Sequence, residues 1–375
     1  MRETKSHLTL ASLGERALLG NLLKRIGGDS RPGSPLLVPP GDDAAALFLP
    51  AGEAALLTTD TLVEGTHFRR PWTAPADLGW KLVMSAASDV SAMGGRPLAL
   101  VIAVSAPGAM AAEEFLDLMA GAQAAATDVG CALAGGDTTS SPILVLTATL
   151  VGAAPKEGLL RRTGARPGDL VLVTGTLGEA AAGLGVLDLA CASDPLPEGR
   201  WLRAESPLPG LAARLEPLGF SAGRAAALAE SARRFLRPSP PFAAGRVLAA
   251  AGASALIDIS DGVASEAAWI AAGSQVGIVL EAARMPIGDG ARAWAAKREI
   301  DPLDLALGGG EDYELLMTAP PHAGPGLVER LEAIGIPATV IGEVVPADEG
   351  LTLRLPDGVR RPLPPAGYEH FAPRP

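Results

Sequence analysis

Leu305-Ala306-Leu307-Gly308-Gly309-Gly310-Glu311-Asp312-Tyr313-Glu314-Leu315-Leu316-Met317 is the stretch on which the reading of this chain turns. Three glycines let the backbone turn tightly and leave room for a ligand, and Tyr313 to Met317 then reads as a buried strand. Alone the pattern is weak. It gains weight from four other short segments that set an Asp beside Gly, Ser or Thr: Gly41-Asp42-Asp43, Thr58-Thr59-Asp60-Thr61, Gly135-Gly136-Asp137-Thr138-Thr139 and Asp258-Ile259-Ser260-Asp261-Gly262.

Working outward, 375 residues suffice for two domains of ordinary size, and a 48% hydrophobic content supplies their cores. A net charge of −11 with no run of Lys or Arg argues against nucleic acid or an anionic membrane as partner. An acidic protein that handles phosphates needs cations as intermediaries. The two cysteines, Cys131 and Cys191, form no CxxC pair and read as free thiols in a reducing compartment. Leu8 to Ile26 carries charges in the wrong places for a signal peptide, and the uncharged tract Thr138 to Pro155 reads as a loop and one strand, not a membrane span. These features point to a cytoplasmic protein.

Strands and helices alternate through the first half. Ala54 to Val63 reads as a strand, Ala76 to Met93 as a helix closed by Gly94-Gly95, Leu98 to Ser105 as a buried strand, and Ala111 to Val129 as a helix with Glu113 and Glu114 in its first turn. Cys131 to Ala134 and Ile143 to Val151 are further strands, and a domain boundary falls near Gly152 to Lys156. In the second half, Arg161 to Asp169 is a turn before the strand Leu170 to Thr174, and Gly175 to Leu187 a loop running into a helix. Cys191 to Arg237 has no clear strand and reads as a helical or partly mobile insertion. Ala255 to Ser260, Val276 to Glu281, Tyr313 to Thr318 and Ala338 to Glu343 are strands, Val263 to Ala272 a helix. The fold class is α+β in both halves.

Strand alternation puts Asp258 and Ser260 on one face and Ile257 and Ile259 on the other. Asp261 is either the N-cap of the helix that follows or a ligand, with nothing in the sequence to choose between them. Asp258 is not explained by capping, and a carboxylate in an apolar strand needs a partner. Asp60, set among threonines, offers hard oxygen donors suited to Mg²⁺. Asp89 lies among small residues within a helix. Gly41-Asp42-Asp43 and Gly136-Asp137 each admit a plain turn reading, and at most one of Asp42 and Asp43 points into a shared site. Four or more of these acids converging would repel unless cations lay between them, and several Mg²⁺ ions on a polyphosphate would make that arrangement a phosphoryl-transfer site. No GxxxxGK[ST], no HRD or DFG and no HExxH is present.

Taken together the segments resemble the thiamine-monophosphate kinase family, in the superfamily of aminoimidazole ribonucleotide synthetase and selenophosphate synthetase. The matching blocks run in order: Gly41 to Ala44, Thr59 to Val63 with Gly65 to Phe68, Ser88 to Gly94, Gly135 to Thr139, Val173 to Thr176, Leu236 to Pro240, Ile257 to Gly262, Gly309 to Leu315 and the tail Gly367 to Phe371. The resemblance implies ATP-dependent, Mg²⁺-dependent phosphorylation of thiamine phosphate by direct transfer. It implies an N-terminal domain over 1–153 that binds ATP and Mg²⁺ and lends strands to the β-barrel of a homodimer. A C-terminal α+β domain over 154–375, with the insertion near 187–235, would complete the site. Carried over by position, Asp43, Thr58, Thr59, Asp60, Asp89, Asp137, Asp258 and Asp261 are metal ligands. Gly136, Asp137, Arg162 and Ser260 contact ATP, and His67, Glu311 and Tyr368 contact thiamine phosphate. An imidazole at His67 suits a phosphate, and a ring at Tyr368 suits a heteroaromatic. Such a site works by positioning and charge neutralisation, so no general base is nominated.

The chain departs from relatives in the superfamily that need a reactive thiol: no Cys precedes Cys131, and none lies near the C-terminus. A regulator that binds ATP and Mg²⁺ without turnover is the alternative from a different class.

Overall fold

The computed structural model describes residues 49–196, 201, 202, 204, 209–364 and 367, together with 9, 21, 22, 25, 36–38, 46 and 47. They fall into two compact units. One takes the described residues of Met1–Val90, Arg96–Ala154 and Leu196–Arg203; the other takes those of Ser91–Gly95, Pro155–Pro195 and Ala204–Pro375.

In the first unit, β1 (Leu36–Val38) and β2 (Ala46–Leu47) form a short antiparallel pair. β3 (Glu53–Val63), β4 (Arg96–Ala106), β5 (Ala132–Ser140) and β6 (Val145–Pro155) build a four-stranded sheet in the order β3-β6-β4-β5. α1 (Pro75–Ala92) precedes β4, and α2 (Ala112–Asp128) supplies the crossover that the parallel β4–β5 pair requires. The two helices meet through glycines: a Cβ at Gly79 would lie 1.9 Å from the Leu118 carbonyl oxygen, and one at Gly121 1.9 Å from that of Ala76.

Along β4, Leu98, Leu100, Ile102 and Val104 are buried, while Val101 and Ala103 between them are exposed. Period-two alternation thus gives the sheet one covered and one open face. Thr61 bonds Thr147 at 2.9 Å and Thr59 bonds Thr149 at 3.1 Å. Thr147 and Thr149 stand in register with Ala103 and Val101, so this hydroxyl ladder lies on the open face. Leu57, 75% exposed, projects from the same edge strand.

In the second unit, β7 (Leu170–Thr174), β8 (Ala255–Asp258), β9 (Gly277–Glu281), β10 (Leu315–Ala319), β11 (Ala338–Val345), β12 (Leu351–Arg354) and β13 (Arg360–Pro362) form a sheet in the order β13-β12-β9-β11-β7-β10-β8. Among these strands only the β9–β12 pair is parallel. The helices are α3 (Glu179–Ser193), α4 (Pro209–Leu215), α5 (Ala222–Leu236), α6 (Phe242–Ala251), α7 (Val263–Ser274), α8 (Asp289–Arg298), α9 (Pro302–Gly308) and α10 (Gly324–Glu332).

Both faces of β7, β8 and β10 are buried, as these apolar strands predict. Val171, Val173, Ile257 and Leu316 pack with Val263, Ala267 and Ile270 of α7 and Leu303 of α9. Leu172, Leu256, Leu315 and Met317 pack on the opposite side with Leu248 of α6 and Leu327 and Leu331 of α10. α3 lies against α5 and α8, and its Gly183 lets the α5 backbone approach closely, since a Cβ there would stand 2.2 Å from the Ser231 carbonyl oxygen.

Several expectations need correction. The strand expected at Tyr313 begins at Leu315, because Tyr313 has φ 51° and cannot continue a ladder. β8 ends at Asp258, so Ile259 and Ser260 belong to the loop after it. β5 runs on to Ser140, well past Ala134. The described residues between 191 and 237 carry α4 and α5. Among the described residues no helix is long and apolar enough to cross a membrane. Neither cysteine forms a disulfide, and burial pushes the Cys191 thiol up to about 11.

Candidate active site

Two of the acid-bearing motifs meet in the second unit. Glu311 N–H donates to the Ser260 carbonyl at 2.7 Å, Tyr313 N–H to that of Ile259 at 2.9 Å, and Ile259 N–H to that of Glu314 at 2.8 Å. Glycines let backbone meet backbone at this junction. A Cβ at Gly310 would stand 2.5 Å from the Ser260 carbonyl oxygen, and one at Gly262 would stand 2.7 Å from that of Leu307. Glu311, Ser260 and Asp261 are therefore neighbours by construction. Gly367, the residue before Tyr368, joins them: a Cβ there would lie 3.3 Å from the Asp261 carbonyl oxygen.

Asp258 is 5% exposed at the end of β8, with Ile257 and Ile259 in the core cluster, as alternation required. The N-cap of α7 is Gly262, one residue past Asp261. Glu266, one turn into α7, turns back so that its Oε1 accepts the Asp261 N–H at 3.0 Å. Its Oε2 is buried without a hydrogen-bond partner. Burial, against two backbone donors and with Asp261 and Asp258 adding repulsion, pushes the Glu266 carboxyl up to about 8.

The loop is held from its other side as well. Asp312 accepts from Gly178 N–H at 2.6 Å and Ala180 N–H at 3.0 Å at the start of α3. Burial carries its carboxyl up to about 7 despite those donors. Glu314 accepts from the Thr174 hydroxyl at 2.6 Å, and burial raises it too. Arg162 stacks over Trp269 at 5.6 Å, and its turn is pinned where Gly164 N–H and Ala165 N–H reach the Ser274 hydroxyl.

In the first unit the Thr58 hydroxyl bonds the Asp89 carboxylate, so Asp89 is not a bare surface acid. Asp60, two residues on, shares Thr58's face, whereas Thr59 faces its ladder partner Thr149. Asp137 pairs with Ala103 in the exposed stretch of β5, and Gly136 before it has no room for a side chain, since a Cβ would lie 2.0 Å from the Ile102 carbonyl oxygen. His67 Nδ1 accepts the Val63 N–H at 3.0 Å, which leaves the proton on Nε2 as a donor suited to phosphate. α1 also carries a buried polar stripe of Asp77, Lys81, Ser85 and Ser88 leading to Asp89. Asp43 and Tyr368 lie outside the described residues.

Comparison with known proteins follows this geometry. Residues 41–154 match the AIR synthase related protein N-terminal domain, and 219–354 match its C-terminal domain. The thiamine-monophosphate kinase of Escherichia coli (strain K12) is 35% identical, covering 88% of this chain and 91% of its own length. The chain belongs to the thiamine-monophosphate kinase family. A solved thiamine-monophosphate kinase from Stenotrophomonas maltophilia K279a superposes with a TM-score of 0.73 at 31% identity, over 91% of this chain and 96% of that one. A structure of AaThiL complexed with AMPPCP and TMP gives 0.69 at 28% identity, over 98% and 100%.

Within this thiamine-monophosphate kinase relative, sequence reasoning passed over Asp312, Glu314 and Glu266. The first two sat in the quoted motif but read as loop and strand; Glu266 lay unremarked inside the helix read over Val263 to Ala272. Only its spacing, five residues after Asp261, hinted that it could reach back to that turn. Among the described residues no three His, Cys, Asp or Glu side chains are gathered into a ready metal cage. Mg²⁺ does not need one, since it binds through one or two carboxylates while phosphates and water fill the rest. The all-oxygen donors Thr58, Asp60 and Asp89 in one unit, and Asp258 and Asp261 beside the orphaned Glu266 oxygen in the other, fit such a hard cation.

Proposed function

We propose that this chain transfers the γ-phosphoryl group of ATP to thiamine phosphate, giving thiamine diphosphate and ADP, with Mg²⁺ required. The observation that carries the reading is the set of backbone bonds joining the Glu311 loop to Ile259 and Ser260. It seats the residue assigned to thiamine phosphate beside those assigned to nucleotide and metal. The relatives named thiamine-monophosphate kinase, and a complex of one with an ATP analogue and TMP, support the substrates.

The acceptor is a phosphate oxygen that is already anionic near neutral pH. A bond forms from it to the γ-phosphorus, and the bond to the ADP oxygen breaks. No proton need be removed, so no general base is called for. The chain's task is to hold two anions close and in line. Gly136, Asp137, Arg162 and Ser260 serve the nucleotide; His67, Glu311 and Tyr368 serve thiamine phosphate. Asp43, Thr58, Thr59, Asp60, Asp89, Asp137, Asp258 and Asp261 hold the metal ions, which when bound neutralise charge on the phosphates. In this reading residues 1–153 form the nucleotide and dimerisation domain and 154–375 complete the site.

A second copy of the chain is the proposed cover for the open face of the four-stranded sheet, where Leu57 and Val101 are exposed beside the threonine ladder. Two such faces closing into a barrel would also remove the unpaired sheet edges. A biosynthetic kinase drawing on cellular ATP belongs in the cytoplasm. The test is to incubate the purified chain with ATP, Mg²⁺ and thiamine phosphate, and in parallel with thiamine, and to separate the products. Thiamine diphosphate from the first alone is expected; ATP binding with no product supports a regulator instead.

A further inference from the structure

Glu311 and Tyr313 both carry left-handed backbone, φ 66° and 51°, on either side of Asp312. Residues with a Cβ rarely adopt this backbone, so the surroundings must impose the conformation. Two sets of bonds do so. The Glu311 and Tyr313 amides go to Ser260 and Ile259, and the Asp312 carboxylate goes the other way, to the amides of Gly178 and Ala180.

The second set is unusual in its source. Gly178 is the N-cap of α3 and has no side chain, so the acceptor for that helix start comes from 134 residues away. A local Ser or Asp would have capped α3 as well. A distant carboxylate does something more: it ties the arch that carries Glu311 to a helix packed into the body of the unit. Next to it the Thr174 hydroxyl donates to Glu314 and accepts the Leu315 N–H at 2.9 Å, which closes the arch where it enters β10.

We propose that Asp312 is a positioning residue for the thiamine phosphate end of the site: bonded to the start of α3, it holds the strained arch that sets Glu311 beside Ser260 and Asp261. This rests on the reading above that Glu311 contacts thiamine phosphate. It assigns Asp312 no contact with substrate. Losing it should loosen one substrate and leave the other alone.

The test compares Asp312→Ala and Asp312→Asn with Gly183→Ala, which strains α3 against α5 but leaves the arch untouched. For Asp312→Ala we expect KM for thiamine phosphate to rise about tenfold or more, KM for ATP to hold within about twofold, and kcat to fall. Asp312→Asn keeps one of the two bonds and should move the same way by a smaller factor, which serves if the alanine variant does not fold. Amide exchange supplies a readout independent of turnover: Glu311 and Tyr313 should exchange faster in the Asp312 variants and not in Gly183→Ala. Equal rises in both KM values, unchanged KM values, or the same selective shift in Gly183→Ala would overturn the positioning role. A wild-type chain that makes no thiamine diphosphate removes the reading beneath it instead.

Discussion

Glu266 makes a direct prediction about stability and pH. Its carboxyl is pushed from 4.5 to about 8 in the folded chain. Between those values the native state holds a proton that the unfolded state has released. Stability from this group is therefore full below about 4.5, falls as pH rises, and is gone above about 8. At about 1.36 kcal/mol per unit the ceiling is about 5 kcal/mol. The polar loop beside Glu266 raises the local dielectric, and about 2 kcal/mol is the realistic share. For a unit of this size that is about 4–8 °C of melting temperature. Asp312, raised to about 7, adds a slope of the same sign that ends sooner and is common to wild type and variant. Thermal unfolding at pH 5.5, 7 and 9 in chelator, on wild type and Glu266→Gln, isolates the effect. The wild type should lose about 4–8 °C more than the variant across this window. Parallel curves would refute the argument.

Other perturbations follow from the same contacts. Thr174→Val removes the hydroxyl shared by Glu314 and the Leu315 amide, and urea unfolding should show a loss of about 1–3 kcal/mol. Gly79→Ala drives a Cβ into the Leu118 carbonyl oxygen, and overpacking of about 1–3 kcal/mol or more should lower the melting temperature by several degrees. Leu57→Lys places a charge on the open sheet face, so sedimentation equilibrium should show a dimeric wild type and a variant shifted to monomer.

How far the residues alone carried the reading differed by place. Strand alternation and glycine punctuation located β3, β4 and β7 and the helices α1, α2 and α7 to within a residue or two. α8, α9 and α10 went unread because their apolar positions are few and broken by Gly and Pro, and the packing of α8 on α3 and α5 is what makes a helix of that stretch. At the site, the turning of Ile257 and Ile259 into the core was legible from period two. The arch from Gly309 to Glu314 was not, because its shape comes from bonds to the remote residues Ile259, Ser260, Gly178 and Ala180. Asp312 and Glu314 looked like companions of Glu311 in one motif, yet their side chains turn inward to α3 and Thr174.

The most direct measurement is turnover of thiamine phosphate by wild type, Asp60→Asn and Asp258→Asn, each with Mg²⁺ and with chelator, with circular dichroism run on the same samples. The account predicts one thiamine diphosphate per ADP from wild type, none without divalent cation, and a loss of about a hundredfold or more in both variants with the spectrum unchanged. Wild-type rates from both variants, or product formed in chelator, would contradict it.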